Sequence, residues 1–232
     1  MARYRVPSIA DNTIKILKRS KVEVLTMKDE KCCCSVLLRI GLADETRELC
    51  KKIIDDISRY HVDVLATSCA GCFRTFAKDY SEFFEVETPL RVMHISQLLM
   101  ELVMEDGLQL PEARGIKVTY HDPCHLGRHM GVFDEPREVL RRMGVSILEM
   151  KYTRSEANCC GAGGGVMSAY GDLALKIAEA RITEAIGTGA EYLITACPFC
   201  VYNLRRACER MNAPIKVMDL VEFIGGLMGD YT

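Results

Sequence analysis

Neither sign of charge is in excess: 30 Lys and Arg stand against 32 Asp and Glu, for a formal net charge of -2. The cations are scattered, so the chain has no basic field for phosphates, and nucleic acid is not an expected partner. No apolar run approaches the ~20 residues that a membrane helix needs, and the stretch from Met1 to Ser20 lacks the apolar core of a signal peptide. No membrane span of its own is therefore expected, and the cytoplasm is the expected location. Asp and Glu lie mostly among Lys and Arg on helix faces, so no paired-carboxylate acid/base site stands out. The glycine-rich stretch has neither the Lys-Ser/Thr ending nor the G-x-G-x-x-G spacing of a nucleotide loop.

What is abundant is cysteine, 12 in 232 residues. A chain of this length can bury its own core and needs no disulfide staples, and a reducing compartment keeps thiols free. Metal or redox chemistry is the leading explanation.

The cysteines recur. Val62-Asp-Val-Leu-Ala-Thr-Ser-Cys69-Ala-Gly-Cys72 matches Glu191-Tyr-Leu-Ile-Thr-Ala-Cys197-Pro-Phe-Cys200, each an apolar strand running into C-x-x-C. Cys32 and Cys33 answer to Cys159 and Cys160. Downstream, Val92-Met-His-Ile-Ser-Gln-Leu-Leu answers to Val217-Met-Asp-Leu-Val-Glu-Phe-Ile. Three segments in one order, at offsets of roughly 125 to 128 residues, make a duplication. Short β-rich runs predict strands at Val22 to Met27, Val62 to Thr67, Arg91 to Ile95, Ile116 to Tyr120, Ser146 to Met150, Tyr192 to Ala196 and Ile215 to Met218. Helical patterns over Thr46 to Tyr60 and Ala174 to Ile186 alternate with them. The rhythm predicts an α/β fold of two tandem domains, each a small parallel sheet flanked by helices. Residues 1–110 and 111–232 are the expected domains, with a seam at Asp106 to Gly115.

In the second copy Cys124, the pair Cys159 and Cys160, and the pair Cys197 and Cys200 all follow strands or open loops at strand ends. Parallel sheets gather such loops at one edge, where they hold ligands. Adjacent cysteines point apart, which suits a multi-iron cluster better than one zinc, and five thiolates exceed zinc's four. The C-x-x-C pairs should open helices, whose free N–H groups favour thiolate. Gly161, Gly163 and Gly164 let backbone N–H groups approach an anionic cluster. Cys50 and Cys208 sit inside helix patterns and read as ordinary thiols, while Cys34 fits either role. His121, His125 and His129 surround Cys124, to hydrogen-bond sulfur or deliver protons. Asp122 and Pro123 explain part of that segment as a turn. His61 and His94 read as structural.

The strings Y-H-D-P-C-H-L-G-R (120–128), N-C-C-G-A-G-G-G (158–165) and A-C-P-F-C (196–200) resemble the cysteine-rich CCG-domain family. That family includes the B and D subunits of heterodisulfide reductase and the iron–sulfur subunits of glycolate and lactate oxidation systems. The resemblance covers essentially the whole chain, as two tandem CCG domains. It implies an iron–sulfur electron-transfer subunit of an oxidoreductase that reduces a disulfide or relays electrons from a dehydrogenase. It also implies a non-cubane 4Fe-4S cluster on Cys124, Cys159, Cys160, Cys197 and Cys200. The first copy departs from the pattern. Its counterpart of Cys124 would fall ahead of Met1, and Cys34 stands where the family has glycine. That copy, which reads as N-terminally incomplete, keeps Cys32, Cys33, Cys69 and Cys72, and its site would hold an iron–sulfur cluster, zinc or nothing. The D-type subunits carry a C-x-x-C-x-x-C ferredoxin module with no counterpart here, so a flavin- or ferredoxin-type partner is expected to supply electrons. The competing readings are a zinc-bound structural or assembly protein and a cluster-free dithiol oxidoreductase.

Overall fold

The computed structural model describes residues 1–229. The first half runs through α1 (Pro7–Lys18), α2 (Ser35–Arg39), α3 (Ala43–Ser58), β1 (Val64–Thr67) and α4 (Ala70–Arg74). A π turn (Thr75–Asp79) then leads to α5 (Tyr80–Phe84), β2 (Arg91–His94) and α6 (Ile95–Met104). Helix α3 forms on the stripe read from sequence and buries Cys50, Ile53, Ile54 and Ile57. Strands β1 and β2 pair in parallel from Val64 with Arg91 to Thr67 with His94.

The expected strand over Val22 to Met27 does not form. Its Val22 and Leu25 are 39% and 53% exposed. A strand needs a neighbour to take its N–H and C=O groups, and charged Lys21, Glu23 and Lys28 keep this segment in water instead.

The second half carries β3 (Lys117–His121), α7 (Gly127–Met130), α8 (Asp134–Arg142), β4 (Ser146–Ile147), α9 (Val166–Ala169) and α10 (Gly171–Ile186). After them come β5 (Tyr192–Thr195), α11 (Pro198–Arg210), β6 (Lys216–Asp219) and α12 (Leu220–Leu227). The four strands are parallel in the order β4-β3-β5-β6. Strand β4 stops three residues short of expectation because the chain turns so that Glu149 meets the buried Arg137 at 2.6 Å. From β3 the chain goes to β4 on one side and, later, to β5 on the other. The carboxyl ends of β3 and β5 thus bound the crevice where open parallel sheets bind ligands. Cys124 follows one and Cys197 the other.

The larger core joins Val118, Leu193 and Val217 of this sheet to Ile9 and Ile16 of α1 and Leu99 of α6. Helix α1 lies on α12, where Gly225 admits Asn12 at a distance that no side chain would allow. A smaller core gathers Cys34, Leu38, Cys50, Ile53 and Tyr80. Among the described residues no helix is long and apolar enough to cross a membrane.

Candidate metal centre

Cys69 and Cys197 are the residues immediately before α4 and α11, both in extended backbone. Cys72 and Cys200 follow within the first turn, so each C-x-x-C sits over the unpaired N–H groups of a helix start. The N–H groups of Cys72 and Cys200 lie close to the sulfurs of Cys69 and Cys197 and favour their thiolates.

The side chains form one continuous row. Cys33 and Cys72 have their Sγ atoms 3.1 Å apart. Thiol contacts continue from Cys32 to Cys33, Cys72, Cys69, Cys197, Cys200, Cys160, Cys159 and Cys124. All nine cysteines read from sequence as metal-binding are in it, and the step from Cys69 to Cys197 crosses from one copy to the other. The middle of the row is buried, whereas Cys32 and Cys159 are exposed.

Protons alternate along the two end stretches of the row, while Cys197, Cys200 and Cys160 between them are all pushed up. Cys124 and Cys160 hydrogen-bond to Cys159, which pulls its pKa down to about 2, helped by the Gly161 N–H at 3.3 Å. Cys33, flanked by Cys32 and Cys72, and Cys69, flanked by Cys197 and Cys72, are also held well below the usual thiol range. Their proton-holding neighbours Cys32, Cys72 and Cys124 are pushed up. Nine sulfurs with no carboxylate among them make a soft donor set, which fits thiophilic metals and iron–sulfur clusters and not magnesium or calcium.

Three cysteines lie outside the row. Cys34 is fully buried in the smaller core with a left-handed φ of 61°. Burial first, then the neighbouring Cys50 thiol, pushes its pKa up to about 12. Cys50 lies in α3, and Cys208 in α11 donates to the Ile215 carbonyl at 2.9 Å.

The glycine loop divides in role. Gly161 has φ 79°, and a Cβ there would meet the Ala174 carbonyl at 2.5 Å, so only glycine brings this N–H to Cys159. Gly163 and Gly164 line a cavity of about 40 Å³ between the copies, together with Ser35, Arg39, Cys124 and His125.

The loop after β3 is held by partners that sequence reading missed. Arg137 is fully buried and grips Asp122 with both Nη atoms, at 2.7 and 2.8 Å. Asp122 also accepts the Arg154 N–H at 2.8 Å, and Arg128 donates to the Ser155 and Ala157 carbonyls at 3.0 and 2.7 Å. Asp122 is thus more than a turn former: it ties the Cys124 loop to the segment before Cys159. His121 accepts at Nδ1 from Arg181 Nε at 3.1 Å and lies within 4.8 Å of the Cys160 and Cys200 sulfurs. His125 lines the cavity and packs on His129, with ring centroids 5.5 Å apart. His94, beyond capping α6 through Nδ1, sits beside Cys197, and His61 is exposed. Burial holds His94, His121 and His125 near pKa 4, so all three are neutral. Arg137 and Arg181 did leave a signal: each is a cation on the apolar stripe of its helix.

The family model described as "CCG: Cysteine-rich domain" matches residues 1–77 and 118–205. The chain belongs to this cysteine-rich domain family. It is 38% identical to the D subunit of dihydromethanophenazine:CoB–CoM heterodisulfide reductase from Methanosarcina acetivorans, over 98% of this chain and 57% of that relative. An iron–sulfur protein of Methanocaldococcus jannaschii is 34% identical over 95% of this chain and 44% of its own. The B subunit of fumarate reductase (CoM/CoB) from Methanothermobacter marburgensis is 31% identical over 95% and 43%. The chain thus spans about half the length of these relatives.

Proposed function

We propose that this chain is the iron–sulfur electron-transfer part of an oxidoreductase, of the heterodisulfide reductase kind. The observation that carries this reading is the single row of nine thiols, joined across the copies at Cys69 and Cys197. The relatives named above as an iron–sulfur protein and as oxidoreductase subunits support it. Cys124, Cys159, Cys160, Cys197 and Cys200 would hold a non-cubane 4Fe-4S cluster, and Cys32, Cys33, Cys69 and Cys72 a second metal site. A bound cluster supplies one-electron transfer. The protein's part is to bury the middle of the row from water, to offer the Gly161 N–H to sulfur and to present the cavity beside Cys124 and His125 to a substrate. The reaction class is reduction of a disulfide to two thiols by two electrons and two protons, or relay of electrons from a dehydrogenase. A flavin- or ferredoxin-type partner in the cytoplasm would supply the electrons.

The test is the metal itself. Anaerobically reconstituted protein should be brown and hold iron and acid-labile sulfide in similar amounts. Colourless protein that binds zinc alone, or no metal, would defeat the reading.

A further inference from the structure

We propose that His121 is a fixed N–H donor to the sulfurs of the metal centre and not one of its ligands. The inference rests on the metal–sulfur reading above. By proximity alone His121 looks like a ligand, since it shares a 4.8 Å neighbourhood with the Cys160 and Cys200 sulfurs. Its hydrogen bonding says otherwise.

Arg181 Nε lies 3.1 Å from His121 Nδ1. A guanidinium has donors and no acceptor, so Nδ1 must present its lone pair. Arg181 has no freedom to leave: it is fully buried, and its Nη1 donates to the Tyr152 carbonyl at 2.8 Å and to Glu184 Oε2 at 2.6 Å. With Nδ1 committed as acceptor, the neutral ring carries its proton on Nε2. An imidazolium is excluded by the same contact, because it would set an N–H against the Arg181 N–H.

Nε2 is itself buried and has no partner among the described residues. A buried N–H without an acceptor is costly, and the Cys160 and Cys200 sulfurs, within 4.8 Å of a ring nitrogen, are the acceptors it can serve once a metal holds them as thiolates. Metal ligation through Nε2 would require an imidazolate beside the cysteine thiolates of the same centre, which adds negative charge where it is least tolerated. Donation from Nε2 to sulfur instead withdraws electron density and raises the reduction potential. Arg181 is then the positioning residue that fixes the tautomer.

The test compares His121→Leu, which removes the donor, with His121→Gln, whose amide N–H has similar reach. Both variants should keep the parent's iron and sulfide. The midpoint potential should fall in His121→Leu and return towards the parent value in His121→Gln. Pulsed EPR of the parent protein labelled with 15N-histidine should show no directly bonded nitrogen, a readout that does not depend on either variant folding. A strongly coupled nitrogen in the parent, or iron lost from both variants, would overturn the proposal by making His121 a ligand. One midpoint for all three proteins, with iron intact, would overturn it while leaving the metal reading standing. Absence of iron from the parent would remove both together.

Discussion

Among the described residues the first half of the chain pairs two strands and the second pairs four, yet both deliver their cysteines to the same row of sulfurs. What the two copies share is the station where a strand ends in a C-x-x-C helix start. The sheet around it is not shared. The first copy leaves Val22 to Met27 unpaired and lends α1 and α6 to the larger core, so its stations are supported partly by the second copy. The helix after each closing strand shows the same economy. His94 caps α6 through Nδ1 with Gln97 reaching back, and Asp219 caps α12 through Oδ1 with Glu222 reaching back. A helix start needs only an acceptor there, so an imidazole and a carboxyl serve equally.

The largest expected contrast is in metal content. Cys197 touches both Cys69 and Cys200, so Cys197→Ala should remove most of the iron, whereas Cys208→Ala, outside the row, should leave it bound. Iron and sulfide assays on anaerobically purified variants check this. Equal iron in both variants would break the assignment of the row.

Stability should differ between the copies in the same sense. Arg137→Met takes from the buried Asp122 its ion-pair partner and should cost about 3–5 kcal/mol, read from the urea midpoint. In the first copy, Arg39→Met leaves the buried Asp79 with Arg74 and Thr75 and should cost only about 1–2 kcal/mol. The pH dependence follows from Asp122. Burial alone would raise its pKa, but the Arg137 hydrogen bonds and charge outweigh it and hold the carboxyl below its ordinary value. A depressed carboxylate stabilises the fold above its unfolded pKa of about 3.9 and loses that contribution as pH falls through the folded value. The gap between parent and Arg137→Met should therefore be full at neutral pH and shrink below about pH 4.

Smaller effects sharpen the comparison of the two cysteine-pair loops. Gly161→Ala forces a Cβ against the Ala174 carbonyl at positive φ and should cost about 1–3 kcal/mol. Gly163→Ala meets nothing and should be close to neutral. In the first copy the position matching Gly161 is Cys34, at φ 61°. Cys34→Gly should relieve about 1 kcal/mol of strain and lose a comparable amount of packing, with iron unchanged because its thiol faces Cys50. Thermal denaturation and iron assays read both.

The strand-to-cysteine rhythm was legible because it is local: apolar runs ending in C-x-x-C declare where strands stop and helices start. The strand that failed, Val22 to Met27, has a strand's composition but no neighbour, and pairing is not written in a single segment. The contact of Cys69 with Cys197 was hidden for the same reason, since docking of two copies leaves no periodic trace. Arg137 and Arg181 were half legible. Each interrupts an apolar stripe, as Arg181 does between Ala178 and Ile182, but their partners Asp122 and His121 come from a different strand end. Cys34 was undecidable from spacing, because its direction depends on a backbone φ that only the fold reveals.

The most direct test of one shared row is disulfide mapping after mild oxidation of the metal-free protein. A peptide linking Cys69 to Cys197 should be among the products, and loading the protein with iron should protect it from forming. Links confined within each copy, formed equally with and without iron, would contradict a common centre.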